Sequence, residues 1–333
     1  MKLFKSRAFK VLLSLLLAAG LCYLVLRQVN LADVGRRIAA ASPAWLLLST
    51  ALSLAAYVIR AWRWIWILKP VGQAGLGQAF YATAVGFAGN FLPARAGEII
   101  RPAVLSRDTR LPFSALLASI LFERLLDAAS VFFFLGLAFL DPPWRGVPAG
   151  GPPVAVGAVP LAVLSAIVAL SYLAVFRRRT LEKLADRLFL LCPSRWRVPA
   201  RAASSAFLDG LALVRDLTAR QWAAVVGTSL LMWFVVNLQI ACVVKAFGIP
   251  LPVSASYVLT FAAVLGLAVP TPAGIGGYHA AVAGALGQFG VPEDTALGAA
   301  TIAHAVSFGP IALIALAMLL ARSLRRGAAQ EAR

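Results

Sequence analysis

The segment LPFSALLASILFERLLDAASVFFFLGL, residues 111–137, decides the class of this protein, because it is an apolar run with three ionisable residues inside it. At about 1.5 Å per helical residue, Glu123 lies ~15 Å from the start of the helix, near the middle of a hydrocarbon core of about 30 Å. Charges at that depth are costly, so they indicate either a functional site or a structural ion-pair cluster.

The composition of the whole chain agrees with a membrane protein. Of 333 residues, 61% are apolar and 13% charged, whereas a soluble globular chain is about 45–50% apolar and about 25% charged. The net charge of +18 comes mostly from short loops beside apolar stretches, where Lys and Arg orient helices towards the cytoplasm. The excess of basic over acidic residues therefore does not indicate a nucleic-acid partner.

Loop charge and apolar length together predict the topology. The Lys/Arg excess in the 177–221 loop places that loop and both termini in the cytoplasm. We expect residues 1–326 to form a single transmembrane domain, followed by a short cytoplasmic tail over 327–333. Six stretches have close to, or more than, the roughly 20 apolar residues that a span requires: 11–26, 44–68, 113–140, 154–176, 222–247 and 295–321.

Two further stretches are pairs of short apolar segments with a Pro/Gly break between them. Residues 74–105 contain GNFLPARAGEIIRPAVL, and residues 254–290 contain LGLAVPTPAGIGGYHAAVAGALGQFG. Interrupted segments in the two halves are typical of an inverted-repeat transporter with a site at mid-membrane. The fold class predicted is an all-α polytopic integral membrane protein. It has about six to eight transmembrane helices and two interrupted helical hairpins, either re-entrant or fully spanning.

The candidate site residues form three polar groups. The first lies in segment 111–137, which we call the acidic helix: Glu123 and Asp127 share one face, and Arg124 can pair with Asp127. The second group surrounds the first break, where it can be either a site or an ordinary loop with surface ion pairs: Asn90, Pro93, Arg95, Gly97, Glu98 and Arg101.

The third group, Arg60 and Arg63, lies among tryptophans, which favours snorkelling cations in an aromatic belt over a binding role.

The charges of these groups predict the sign of the charge on the ligand. Five arginines and three acids leave a surplus of two positive charges, and guanidinium forks match phosphate geometry. We therefore expect an anionic lipid head group. The spacing along one helical face predicts that Arg95 and Arg101 hold its phosphate while Glu98 orients one of them.

Motifs of soluble enzymes are missing from the sequence. There is no GxxxxGK[ST], GxSxG or HExxH, and the longest predicted loop, 177–221, has 45 residues. We predict no cofactor, no metal and no catalytic residue. His279 and His304 are interpreted as helix-packing residues in preference to a proton relay.

At these residues the chain resembles the lysylphosphatidylglycerol synthase transmembrane-region family, also called flippase-like or UPF0104 and including YbhN-type proteins. The resemblance rests on GNFLPARAGEIIR (89–101), ERLLD (123–127) and PTPAGIGG (270–277). It implies an integral bacterial inner-membrane protein that moves or handles lipids. It adds the Pro/Gly hairpin residues Pro270, Pro272, Gly274 and Gly276 to the site. His279 stands where many members of the family have Glu, so a role that this Glu plays in other members is not expected to carry over to this chain unchanged.

Two functions remain open at this point. The first is a flippase- or scramblase-like transporter of an anionic phospholipid, with membrane lipids as its partners and no nucleic acid. The second is a membrane-embedded enzyme or accessory subunit acting on lipid-phosphate or polyprenyl-linked substrates, beside a lipid-modifying enzyme or glycosyltransferase. Acids paired with arginines favour binding over catalysis.

Overall fold

The structure is a computed structural model that describes residues 31–91, 96–140, 215–269 and 271–331, with a few isolated positions between 162 and 187. Every regular element in these ranges is a helix. The chain is therefore a helical membrane protein, as its apolar composition predicts.

The described ranges contain nine α-helices and one short 3₁₀ helix, Pro272–Gly274, between α7 and α8. Their bounds are α1 Leu31–Ala39, α2 Pro43–Leu68, α3 Leu76–Gly89, α4 Gly97–Thr109, α5 Phe113–Leu140, α6 Ala219–Ala246, α7 Ala255–Ala268, α8 Gly277–Gln288 and α9 Glu293–Glu331.

Local sequence sets several of these boundaries. Helix α2 begins with Pro43, whose fixed φ suits the first helical turn. Thr218 caps α6 reciprocally with Gln221: the Thr218 hydroxyl accepts from the Gln221 amide, and the Gln221 side chain accepts from the Thr218 amide. Helix α4 ends at Thr109 and is followed by Arg110, which adopts the left-handed conformation with φ 61°.

The long helices coincide with predicted membrane spans. Helices α2, α6 and the Glu293–Arg325 part of α9 are long and apolar enough to cross a membrane. Helix α5 matches the predicted stretch 113–140 but contains the ionisable residues of the acidic helix. The predicted spans 11–26 and 154–176 lie outside the described residues.

Both interrupted stretches fold as pairs of short packed helices. We call α3–α4 the first hairpin, with its break at 90–96, and α7–α8 the second hairpin, with its break at 269–276. Glycines allow the close approach: a Cβ on Gly97 would clash with the backbone oxygen of Gly86, and one on Gly266 with that of Gly277. The predicted pairing of short segments around Pro/Gly breaks is therefore seen in the structure.

The two halves of the chain pack in the same pattern. We define the first half as α2–α5 and the second half as α6–α9. Helices α2 and α6 pack on each other at the centre. The first hairpin packs through α4 on α5 and through α3 on α9; the second packs through α8 on α9 and through α7 on α5. Exchanging the halves thus preserves the helix pairings.

Each half has its own apolar core, and apolar side chains also cover the exterior. Trp64, Leu105 and Ile120 are buried where α2, α4 and α5 meet. By contrast, Leu47 of α2 is 71% exposed and Leu313 of α9 is 68% exposed. Such an exterior suits a hydrocarbon environment, and polar residues then belong in the interior.

Candidate functional site

Seven charged side chains from three helices meet inside the first half. We call them the charged cluster: Arg60 and Arg63 of α2, Glu98 and Arg101 of α4, and Glu123, Arg124 and Asp127 of α5. Described members of all three predicted polar groups are thus neighbours in space.

Glu123, like Arg63, has a fully buried side chain. Arg101 donates to both of its carboxylate oxygens. Arg63 donates to Oε1 at 3.4 Å. The Arg101 guanidinium also stacks over the Trp64 ring, with Cζ 3.9 Å from the ring centroid. Glu123 therefore joins α5 to both α2 and α4 through charge-assisted hydrogen bonds.

Asp127 lies one turn further along α5 and is 6% exposed. Its Oδ2 accepts from Arg60 Nη1 at 2.9 Å. Its Oδ1 is 2.9 Å from Arg63 Nη1 and accepts from Trp233 Nε1 of α6 at 3.0 Å. Both oxygens of Asp127 are thus engaged, as a buried carboxylate requires.

Glu98 and Arg124 form the exposed edge of the cluster. Their side chains are 35% and 42% exposed, and Arg124 Nη1 is 3.9 Å from Glu98 Oε1. Arg124 also pairs with Asp127 Oδ2 at 3.5 Å, which confirms the pairing predicted from their spacing of three. At this edge the guanidinium group of Arg124 is accessible, and its ion pairs are long.

The cluster carries more positive than negative charge. Its buried part has three guanidinium groups, those of Arg60, Arg63 and Arg101, against the carboxylates of Glu123 and Asp127. The partly exposed pair of Glu98 and Arg124 adds no net charge. The described cluster therefore has a surplus of one positive charge, which an anion at the site would balance.

A cavity of about 340 Å³ lies beside the cluster, between the two halves. Four members of the cluster contribute to its wall: Arg60, Glu98, Arg124 and Asp127. The second half contributes aromatic, aliphatic and uncharged polar side chains, among them Gln239, Thr260, Thr271, Tyr278 and Ser307. A concave, mostly apolar cavity with a few convergent polar groups is the usual form of a ligand site.

The two breaks meet at this cavity. The backbone N–H of Ala273 donates to the carbonyl oxygen of Asn90 at 2.9 Å, and both residues contribute to the cavity wall. His304 Nε2 of α9 lies 2.9 Å from the carbonyl oxygen of Ala273. The second break is therefore held by the first hairpin on one side and by α9 on the other.

The Pro/Gly hairpin residues differ in their relation to the cavity. Gly274, with φ 73°, is part of the wall. Pro272, Gly276 and His279 are not among the cavity-wall residues. The centroid of the His279 ring lies 4.9 Å from that of His304.

The structure corrects one interpretation made from the sequence and narrows a second. Arg63 is fully buried in ion pairs and Arg60 is 8% exposed, so neither snorkels in an aromatic belt. Arg101 pairs with Glu123, whereas Glu98 pairs with Arg124. Glu98 therefore does not orient Arg101 in this structure. Pro93, Arg95 and Pro270 lie outside the described residues.

Sequence reasoning missed the uncharged polar wall of the cavity. Gln239 and Thr260 lie among mainly apolar residues in α6 and α7, and Thr271 stands in the second break. Such residues are common in membrane helices, so their presence alone did not distinguish them. Among the described residues, no group of three or more His, Cys, Asp or Glu side chains could hold a metal ion.

Comparison with known proteins identifies the family. The family model described as "Lysylphosphatidylglycerol synthase TM region" matches residues 11–315. No curated protein matched the chain. Because the match spans most of the sequence, the chain belongs to this family of membrane proteins related to lipid metabolism and transport.

Proposed function

We propose that this member of the family is a lipid transporter, flippase- or scramblase-like, that binds an anionic or phosphate-bearing head group in the cavity between its two halves. The observation that carries the proposal is the charged cluster. Its surplus of one positive charge borders a cavity inside an otherwise apolar helical bundle. A surplus charge in a membrane interior is costly unless an anion shares the site.

Arginine chemistry supports phosphate as the anion. Arg124 is 42% exposed and its nearest carboxylate oxygens lie at 3.5 and 3.9 Å, so its remaining donors can reach a ligand. Arg60 is also in the cavity wall, where it is bound to one oxygen of Asp127. Two guanidinium groups at one cavity suit the several acceptor oxygens of a phosphate.

Transport, and not only binding, is supported by the packing of the halves. The two hairpins contribute to one cavity, and the exchange of halves preserves the helix pairings. Such a pattern suits an inverted repeat whose site is reached from alternate sides of the membrane. In this proposal the hairpins are re-entrant, the termini are cytoplasmic and the membrane is the bacterial inner membrane.

A catalytic role receives less support. Both buried carboxylates are bound by arginines, which leaves neither free to act as a general base. We therefore propose that the protein itself is not an enzyme, and that any chemical change of the lipid belongs to a partner such as a lipid-modifying enzyme or glycosyltransferase.

The test uses purified full-length protein in liposomes with acyl-labelled phosphatidylglycerol. Movement between leaflets is measured by the loss of label to a reagent that cannot cross the membrane, and chemical change is measured on extracted lipid. We expect movement without chemical change, and slower movement for Arg124→Gln. Arg36→Gln, which alters an exposed arginine of α1 that is not a cavity-wall residue, is the control. Movement no faster than in protein-free liposomes would refute transport.

A further inference from the structure

Besides the Tyr278 hydroxyl, the second half of the cavity wall holds three buried polar groups that have no hydrogen-bond partner in the described structure. They are the side-chain nitrogen of Gln239 and the hydroxyls of Thr260 and Thr271. These residues are 2%, 3% and 5% exposed, respectively. Buried polar groups are almost always hydrogen-bonded, so three unpartnered groups on one wall indicate that a ligand supplies the partners.

These groups are uncharged and suit hydroxyls. Ser307 donates to Gln239 Oε1 at 3.4 Å, so the amide oxygen is engaged while the amide nitrogen remains a donor. A threonine hydroxyl both donates and accepts. A ligand group that also donates and accepts, such as a hydroxyl, can therefore satisfy all three.

A cationic head group does not suit this wall. Among the described cavity residues, the charged side chains all come from the first half, so the second-half wall has no carboxylate. In the first half, both oxygens of Asp127 are already bound by arginines. Glu98 stands at the exposed edge beside Arg124. An ammonium group reaching the second-half wall would thus be desolvated without a counter-charge.

Resting on the proposed function, we propose that the lipid has a phosphodiester head group ending in an uncharged, hydroxyl-bearing group, such as glycerol or a sugar. The phosphodiester, with one negative charge, lies against Arg60 and Arg124 and balances the surplus of the cluster. The hydroxyls extend to Gln239, Thr260 and Thr271. At about 30 Å³ per water-sized group, the 340 Å³ cavity holds roughly ten such groups, enough for a phosphate joined to a small polyol.

The experiment compares lipids whose head groups differ in hydroxyls or in charge, using the purified full-length protein in detergent. Phosphatidylglycerol carries a phosphodiester and hydroxyls; phosphatidylethanol carries the same charge without hydroxyls; lysyl-phosphatidylglycerol adds cationic amines. We expect phosphatidylglycerol to bind about three- to tenfold more tightly than phosphatidylethanol, as one or two hydrogen bonds would give. We expect lysyl-phosphatidylglycerol to bind more weakly than phosphatidylglycerol.

Threonine variants test whether the hydroxyls of Thr260 and Thr271 bind the head group. Thr260→Val and Thr271→Val remove one hydroxyl each at nearly constant shape, and each should lower affinity for phosphatidylglycerol about threefold while leaving phosphatidylethanol unchanged. The control is Thr83→Val, because Thr83 is fully buried in α3, bonds to the backbone oxygen of Ala79 and is not a cavity residue. Thermal unfolding in detergent verifies that each variant is folded, and the comparison of lipids on the unmodified protein needs no variant.

The outcomes separate this inference from the proposed function. Equal affinity for phosphatidylglycerol and phosphatidylethanol, or tighter binding of lysyl-phosphatidylglycerol, would overturn the hydroxyl-bearing head group while leaving an anion site in place. If neither phosphodiester lipid binds, the proposed function itself fails.

Discussion

Ala273 and Asn90 join the two interrupted hairpins of the protein by a backbone hydrogen bond of 2.9 Å. Ala273 adopts a left-handed backbone conformation with φ 50°, which is uncommon for alanine and fixes the direction of its N–H. Since the two residues are 183 positions apart in the sequence and both contribute to the cavity wall, the cavity forms only when the two halves are assembled.

The buried carboxylate of Glu123 should matter far more for stability than the exposed-edge carboxylate of Glu98. Glu123→Gln leaves Arg101 buried without a counter-charge and leaves Arg63 with Asp127 alone, so we expect a loss of about 3–5 kcal/mol in the free energy of unfolding. Glu98→Gln removes a partly exposed pair and should cost about 1 kcal/mol or less. Thermal unfolding of both variants in the same detergent measures the difference. Equal stability of the two variants would contradict the pairing of Glu123 seen in the structure.

Arg124 should be required for phosphate binding rather than for folding. Arg124→Lys keeps the charge but loses the planar two-pronged donor, so affinity for phosphatidic acid should fall about tenfold. The unfolding temperature should change little because the side chain is 42% exposed. Binding of diacylglycerol, which has no phosphate, serves as the control. A parallel loss for both lipids would assign Arg124 to packing.

The close approach of the helices in the second hairpin should not tolerate a methyl group at Gly277. A Cβ there would lie 2.5 Å from the backbone oxygen of Gly266, so Gly277→Ala should cost about 1–3 kcal/mol of stability through overpacking. Gly284 lies on the same helix, and a Cβ added to it would have no neighbour within 4 Å, which makes Gly284→Ala a matched control. Unfolding measurements on the pair give the test, and similar effects at both positions would count against the helix packing.

The loop charges predict which segments face the cytoplasm. In a protein whose native cysteines are replaced, Arg195→Cys should resist an impermeant thiol reagent added to intact cells, whereas Gly150→Cys should react, because the Lys/Arg excess lies in 177–221 and not in 141–153. Permeabilised cells provide the control for reactivity. Labelling of position 195 from outside would reverse the topology.

The sequence alone determined the helices and their interruptions. The apolar stretches 44–68, 113–140, 222–247 and 295–321 coincide with long helices, and the Pro/Gly segments coincide with the two breaks. These features are local, because a helix satisfies its backbone hydrogen bonds within one segment and its burial in lipid depends on the side chains of that segment. The sequence also indicated most members of the charged cluster, since ionisable residues in apolar helices are conspicuous.

Only the tertiary structure decided how those residues are paired and what stands opposite them. Spacing along α4 associated Arg101 with Glu98, but helix packing brings Arg101 to Glu123, 22 positions away. The uncharged wall of Gln239, Thr260 and Thr271 could not be predicted, because isolated amides and hydroxyls serve many roles in membrane helices. Which of them face a cavity depends on how α6 and the second hairpin pack against the first half. That packing is a sum of many weak contacts between residues far apart in the chain, which no local pattern in the sequence encodes.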